Sequence, residues 1–251
     1  MLGFIISPAK KMNVVEGPPY VAGLPRFMDR TQELMQAIQA LSYKQAKELW
    51  RCSDKLAQLN YERFSHMDLH EDLTAAVIAY EGLQYQHLNP GVMSEKELAW
   101  LGDHLRILSG FYGVLAPFDG VVPYRLEMGS KFALGKARNL YEWWGPVLCD
   151  ALCEEYSGIV NLASVEYSKA VTPWAKEREL PVLTCLFGSV DKSGKLVQRS
   201  TMAKAARGCF VRWCAERNVR KTEDLKSFSE RGYALDKAHS NEQTLAFVKH
   251  N

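Results

Sequence analysis

Three short, predominantly apolar runs constrain this chain more than anything else in it. They are residues 2–7 (LGFIIS), 159–164 (IVNLAS) and 181–189 (PVLTCLFGS). Runs of this length and character read as buried strands. Helix-like stretches lie between them, so the pattern is α/β, with a mixed α+β character from its hairpins. In open α/β sheets the functional crevice lies just beyond the carboxyl ends of strands. The first run leads into Ser7-Pro8-Ala9-Lys10-Lys11, and the second into Ser164, Glu166, Tyr167 and Lys169. Ser7, Lys10 and Glu166 are therefore early site candidates.

The helical stretches are marked by periodicity and caps. Phe27 to Leu41 places Leu34, Ile38 and Leu41 on one face, and Ser42 caps a second helix over Tyr43–Arg51. Ser53 opens a third, Asp54–Phe64, on which Lys55 and Arg63 share a side. Residues 73–80 (LTAAVIAY) form a buried helix or strand that Glu81-Gly82 ends. Ser94 with Glu97 is a capping box. It opens a helix whose stripe is Leu98, Leu101, Leu105 and Leu108. Thr201 caps a helix over Met202–Glu216, on which Lys204 and Arg207 share a face and Gly208 leaves room for a close approach. Residues 191–195 turn into Leu196-Val197-Gln198, and Gly232–Leu235 can pair with Thr244–Lys249. Residues 13–25 read as a loop punctuated by Gly17-Pro18-Pro19, and 217–231 as solvated helix and loop. The 251 residues show no internal repeat and no clean domain boundary, so a single domain is expected.

Glycines, aromatics and charges concentrate between His104 and Gly145. Leu108 to Leu115 reads as a tight turn between two helices. Its Gly110 and Gly113, beside Tyr112, let backbone amides point outward together, as at phosphate-binding turns. Residues 119–131 alternate: Val122, Tyr124, Leu126 and Met128 to one side, Arg125 and Glu127 to the other. That is a period-two strand. Trp143-Trp144-Gly145-Pro146 begins the next helix, with Pro146 at its first position.

Several function classes are excluded. There is no phosphate-binding loop of the Gly-x-x-x-x-Gly-Lys type, no Gly-x-Gly-x-x-Gly after a strand, no His-Glu-x-x-His and no serine elbow. The six cysteines form no Cys-x-x-Cys, and no histidine completes a metal set, so no metal or cofactor is expected and the thiols read as buried and reduced. No apolar run approaches a membrane span, and the cations of MLGFIISPAKKM follow its apolar residues, unlike a signal peptide. A cytoplasmic protein without membrane contact is expected. A net charge of +2 supplies no strong field, so any nucleic-acid role needs cations gathered locally. The candidates are Lys10, Lys55, Arg106, Arg125, Lys131, Lys204 and Arg207, among the carboxylates Glu127 and Glu166 and several tyrosines. Cations, aromatics and a glycine turn suit double-stranded DNA or a nucleotide-like ligand.

Seven segments carry a resemblance. Residues 6–10 (ISPAK), 53–57 (SDKLA), 105–117 (LRILSGFYGVLAP), 123–129 (PYRLEMG), 140–145 (LYEWWG), 160–167 (VNLASVEY) and 204–208 (KAARG) resemble, in order, the YaaA family of peroxide stress proteins. Lys11-Met12 replaces the family's usual Thr-Leu. Ala116 stands where a basic residue can occur, which removes one phosphate contact from the hairpin. The resemblance implies a cytoplasmic protein of the hydrogen peroxide response that limits iron-dependent damage to DNA and protein. It implies a single compact mixed α/β fold with a helix-hairpin-helix-like DNA-binding element, here near 94–118, and a central cationic cleft. It further favours Lys10, Lys55, Arg125, Glu127, Lys204 and Arg207 as cleft residues.

Two readings of the function stand side by side. In one the protein binds DNA, the glycine turn gripping phosphates through amides and the cleft cations holding the duplex. In the other it is an enzyme acting on a nucleotide or nucleobase, with Glu127 or Glu166 as acid or base and Arg125 setting its pKa. Direct iron binding has no ligand set to support it.

Overall fold

All three apolar runs become neighbours in one eight-stranded sheet. In this computed structural model, which describes residues 1–15 and 21–249, its spatial order is Tyr233–Asn241, Thr244–Lys249, Val182–Val190, Gly158–Asn161, Leu2–Ile6, Leu105–Ser109 and Gly113–Leu115. Leu196–Val197 pairs off Val182–Val190. The five inner strands are mutually parallel, and the strands outside them are antiparallel. Phe4, Ile5 and Ile6 are fully buried, as expected for a central parallel strand covered on both faces. The Gly17-Pro18-Pro19 punctuation lies outside the described residues.

The connections position the site. From Leu2–Ile6 the chain leaves through the helices Met28–Gln39, Tyr43–Trp50, Asp54–Ser65, Leu83–Leu88 and Glu95–His104, and returns as Leu105–Ser109 on one side. Gly158–Asn161 lies on the other side of Leu2–Ile6 and leads away to Val182–Val190. Adjacent parallel strands whose connections depart in opposite directions leave a crevice at their carboxyl ends. Here it opens beyond Ile6 and Asn161.

Two of the expected helix caps form as the sequence encodes them. Ser42 with Gln45 and Ser94 with Glu97 both form reciprocal capping boxes. The Ser200–Glu216 helix starts one residue before Thr201, with Arg199 at its cap. Pro146 is the cap residue of Val147–Glu155 rather than its first helical position, and Trp143-Trp144 belong to a separate short helix, Leu140–Trp144. Residues 73–80 divide into the strand Thr74–Ala75, the turn of helix Ala76–Ala79 and the start of the strand Tyr80–Glu81.

One expectation is overturned. The helix begun at Ser94 ends at His104, and Leu105–Ser109 is a strand. Gly110–Gly113 therefore turns between two antiparallel strands, and no helix-hairpin-helix occupies 94–118. Leu105 and Leu108 do continue the helical stripe. They also lie on a segment that aligns with Phe4, Ile5 and Ile6, and pairing with the central strand overrides a local helical period. Residues 119–131 are also less regular than expected. Only Gly120–Val121 is a strand, yet the alternation survives in burial, with Val122, Tyr124, Leu126 and Met128 inside.

Candidate functional site

A 540 Å³ cavity opens at the crevice, within the volume range of about 300–1,000 Å³ that small-molecule sites occupy. Its floor is the two strand ends. The Ser164 amide donates to Ser7 Oγ at 2.8 Å, and the two hydroxyl oxygens lie 3.2 Å apart. The Ser7 carbonyl accepts from the Tyr85 hydroxyl at 3.0 Å. These bonds tie two strand termini together and fix the base of the cavity.

One wall is the extended segment Tyr124–Glu127. Glu127 Oε1 lies 3.0 Å from Arg125 Nη2 and 3.3 Å from Lys10 Nζ, while neither contact has hydrogen-bond geometry. The Arg125 and Glu127 side chains are only 11% and 20% exposed, so their interaction is less screened than that of a surface pair. Arg125 Nε is buried without a partner. Glu166 turns Oε1 onto the Gly129 amide at 2.9 Å. The Tyr124 hydroxyl sits between Ser109 Oγ at 2.6 Å and the Tyr80 hydroxyl at 2.8 Å. Burial pushes Tyr124 up to about 12 and moves Tyr80, Tyr85 and Tyr167 well above the usual phenol value. These phenols are neutral hydrogen-bonding groups at physiological pH. On another side Lys11 and Glu81 form an ion pair at 2.7 Å across the short antiparallel pair Lys11–Met12 and Tyr80–Glu81.

The facing wall is the first half of the Ser200–Glu216 helix, which contributes Ser200, Thr201, Lys204 and Arg207. Gly208 sets its position: a Cβ there would lie 2.0 Å from the Gln84 carbonyl oxygen. Only glycine lets the helix backbone approach Leu83–Leu88 so closely. Neither Lys204 nor Arg207 has a carboxylate within 4.0 Å among the described residues, and Arg207 Nε is buried without a hydrogen-bond partner. Burial lowers the Arg207 guanidinium below its usual value.

The cavity thus gathers Lys10, Arg125, Glu127, Glu166, Lys204 and Arg207 from the expected site residues. Its lining holds five cations and three carboxylates, so it is of mixed charge rather than a uniformly cationic cleft. The other candidates lie elsewhere. Lys55 is exposed on the Asp54–Ser65 helix. Arg106 is held by Glu155 and the Gly102 carbonyl. Lys131 borders a separate shallow depression with Phe132 and Arg51. Gly110, Tyr112 and Gly113 are buried. The amides of Phe111 and Tyr112 donate to Ser109 Oγ, so the outward-pointing amides expected of that turn are instead turned inward.

Sequence reasoning passed over Lys11, Glu81, Tyr85 and Ser200 as site residues. Glu81-Gly82 ends an apolar stretch much as Ser7-Pro8 does, and the same strand-end rule points to it. Nothing local marks Tyr85.

Among the described residues no group of three His, Cys, Asp or Glu side chains could hold a metal ion, and no helix is long and apolar enough to cross a membrane. All six cysteines are free, with Cys149, Cys185 and Cys214 buried.

The family model for peroxide stress protein YaaA matches residues 2–239. A UPF0246 protein of Pediococcus pentosaceus is 46% identical over 98% of this chain and 97% of its own length. Similar UPF0246 proteins of Lachnoclostridium phytofermentans (44%, 98% of this chain and 95% of its own) and Lactiplantibacillus plantarum (41%, 97% and 98%) span nearly all of both sequences.

Proposed function

This chain belongs to the peroxide stress protein YaaA family, the UPF0246 proteins, and on that premise we propose that it serves the cytoplasmic response to hydrogen peroxide by binding DNA across the mouth of the cavity, limiting iron-dependent damage there. The observation that carries this reading is the Lys204–Arg207 face, two cations on one helix with no carboxylate partner among the described residues. Unpaired cations at a concave surface favour a phosphate-bearing ligand. The test is a fluorescence anisotropy titration of duplex DNA at several salt concentrations. Affinity falls steeply with salt, and the paired change Lys204→Glu with Arg207→Glu lowers it about 100-fold at low salt. A flat salt dependence, or undiminished binding by that variant, overturns the reading.

A second reading is favoured by Glu127, a half-buried carboxylate set between Arg125 and Lys10 inside a cavity that accepts one small molecule. There Glu127 acts as general acid or base on a nucleotide or nucleobase, cleaving a glycosidic bond, with Arg125 orienting it. Turnover of a nucleoside and damaged-DNA panel is then lost in Glu127→Gln while DNA binding persists. No turnover of any panel member ends this reading.

A further inference from the structure

The two walls of the cavity differ in how their charges are compensated. Glu127 is flanked by Arg125 and Lys10, and Glu81 is paired with Lys11. Glu166, which has no cation within 4.0 Å among the described residues, directs an oxygen to the Gly129 amide. The helix wall has no such answer. Lys204 and Arg207 stand on the face of the Ser200–Glu216 helix that lines the cavity, four and seven residues from Ser200. That helix is 17 residues long, and its Arg199 cap residue makes no side-chain capping bond. Its first-turn amides therefore have no acceptor within the helix. The dipole adds about half a positive charge at this end. Two cations and a helix start, uncompensated on one face, match a doubly charged anion better than the single charge of a phosphodiester. Arg207, on the face that lines the cavity, also leaves its Nε without a hydrogen-bond partner.

We infer that the start of the Ser200–Glu216 helix is a phosphomonoester subsite, in which the first-turn amides, Thr201, Lys204 and Arg207 hold the terminal phosphate of one nucleotide unit. The nucleoside then occupies the remaining volume, toward the wall of Tyr85, Tyr124 and Tyr167. A duplex is too wide to enter this cavity, whereas one nucleotide fits. The phosphate belongs to a free nucleoside 5′-monophosphate or to the 5′-phosphorylated end of a DNA strand. This deepens the DNA-binding reading and rests on it for the location of the functional site.

The experiment measures thymidine 5′-monophosphate, thymidine and inorganic phosphate by calorimetry on the full chain. It also measures anisotropy of one duplex with either 5′-phosphate or 5′-hydroxyl ends. The monophosphate binds at least about tenfold tighter than thymidine, and inorganic phosphate competes with it. Arg207→Gln lowers this affinity about tenfold. Thr201→Glu, a change at an exposed position that leaves the core untouched, does the same by repulsion at the helix start. Tighter binding of the 5′-phosphorylated duplex assigns the strand end as the source. Equal duplex binding with a bound monophosphate assigns the free nucleotide. Equal or absent binding of monophosphate and thymidine, with no gain from 5′-phosphate, overturns the subsite. If salt-dependent duplex binding then still depends on Lys204 and Arg207, the DNA reading stands without it. Monophosphate binding with no duplex binding leaves the subsite and removes the DNA reading.

Discussion

The strand hairpin Leu105–Leu115 and the extended segment Tyr124–Glu127 belong to one stretch of sequence, both rich in glycine, aromatic side chains or charge, and they end in opposite situations. In the hairpin the polar groups are answered by other protein groups, inside it and from neighbouring segments. Ser109 Oγ accepts two amides, the Gly110 carbonyl accepts from Trp144 Nε1 at 3.0 Å, and the Tyr112 hydroxyl accepts from the Val122 amide. In the extended segment, Arg125 Nε and Glu127 Oε1 have no hydrogen-bond partner. A dense polar segment whose groups are satisfied by the surrounding protein is architecture. One that leaves buried polar atoms open, beside a cavity, is prepared for something else.

The sharpest way to break this contrast is to strike the point where the two regions touch. A Cβ on Gly110 would stand 2.6 Å from the Leu126 carbonyl oxygen. Gly110→Ala therefore destabilises the protein by about 2–3 kcal/mol in urea unfolding and also weakens ligand binding, because Leu126 adjoins Arg125 and Glu127. A loss below about 0.5 kcal/mol would show the two regions to be uncoupled. Arg125→Ala acts on the open region alone. It lowers duplex or nucleotide affinity about tenfold and costs less stability than Gly110→Ala, because Lys10 still stands 3.3 Å from Glu127; a larger stability loss with unchanged affinity makes Arg125 structural.

Asp119 tests the sealed region by pH. Its carboxylate accepts from the Ala116 amide at 2.8 Å, and burial pushes its pKa up to about 7. A carboxyl whose folded pKa lies above its unfolded value holds its proton better when folded. The stability it contributes is complete at acid pH, below the unfolded value, and is lost as pH rises through about 7. Asp119→Asn keeps the acceptor and removes the charge. It raises stability by about 1 kcal/mol at pH 8 and leaves it nearly unchanged at pH 4, read as the melting temperature across that range. The smallest effect is at Lys131. Lys131→Ala changes duplex affinity less than about twofold, since the residue lies outside the cavity.

Much of the architecture was legible because it is local. Ser42 and Ser94 sit three residues before a glutamine and a glutamate, and both capping boxes formed. The apolar runs at 2–7, 159–164 and 181–189 all contain strands, although the second ends at Asn161, three residues early. The strand-end rule then pointed to Ser7, Lys10 and Glu166, which line the cavity. Residues 105–109 were misleading because their helical stripe and their strand pairing use the same leucines, and the pairing partner lies 101 residues earlier in the chain, with Phe4 opposite Leu105 and Ile6 opposite Ile107. The phosphate-gripping turn failed with it. Gly208 was legible as a close approach, but its partner, the Gln84 carbonyl, could not be named from spacing. Lys55 and Arg106 share the chemistry of the cavity cations, and no local pattern separates them from Lys204 and Arg207.

The strand Thr244–Lys249 lies inside the sheet, parallel to Val182–Val190 on one side and antiparallel to Tyr233–Asn241 on the other. During synthesis, the flank of Thr184–Gly188 that it covers stays unpaired until these residues leave the ribosome. Completing the sheet thus closes a loop of about sixty residues, a slow kind of step for a chain. Until then the nascent protein presents an open apolar strand edge, and this is the interval in which it is most exposed to aggregation or to capture by a chaperone.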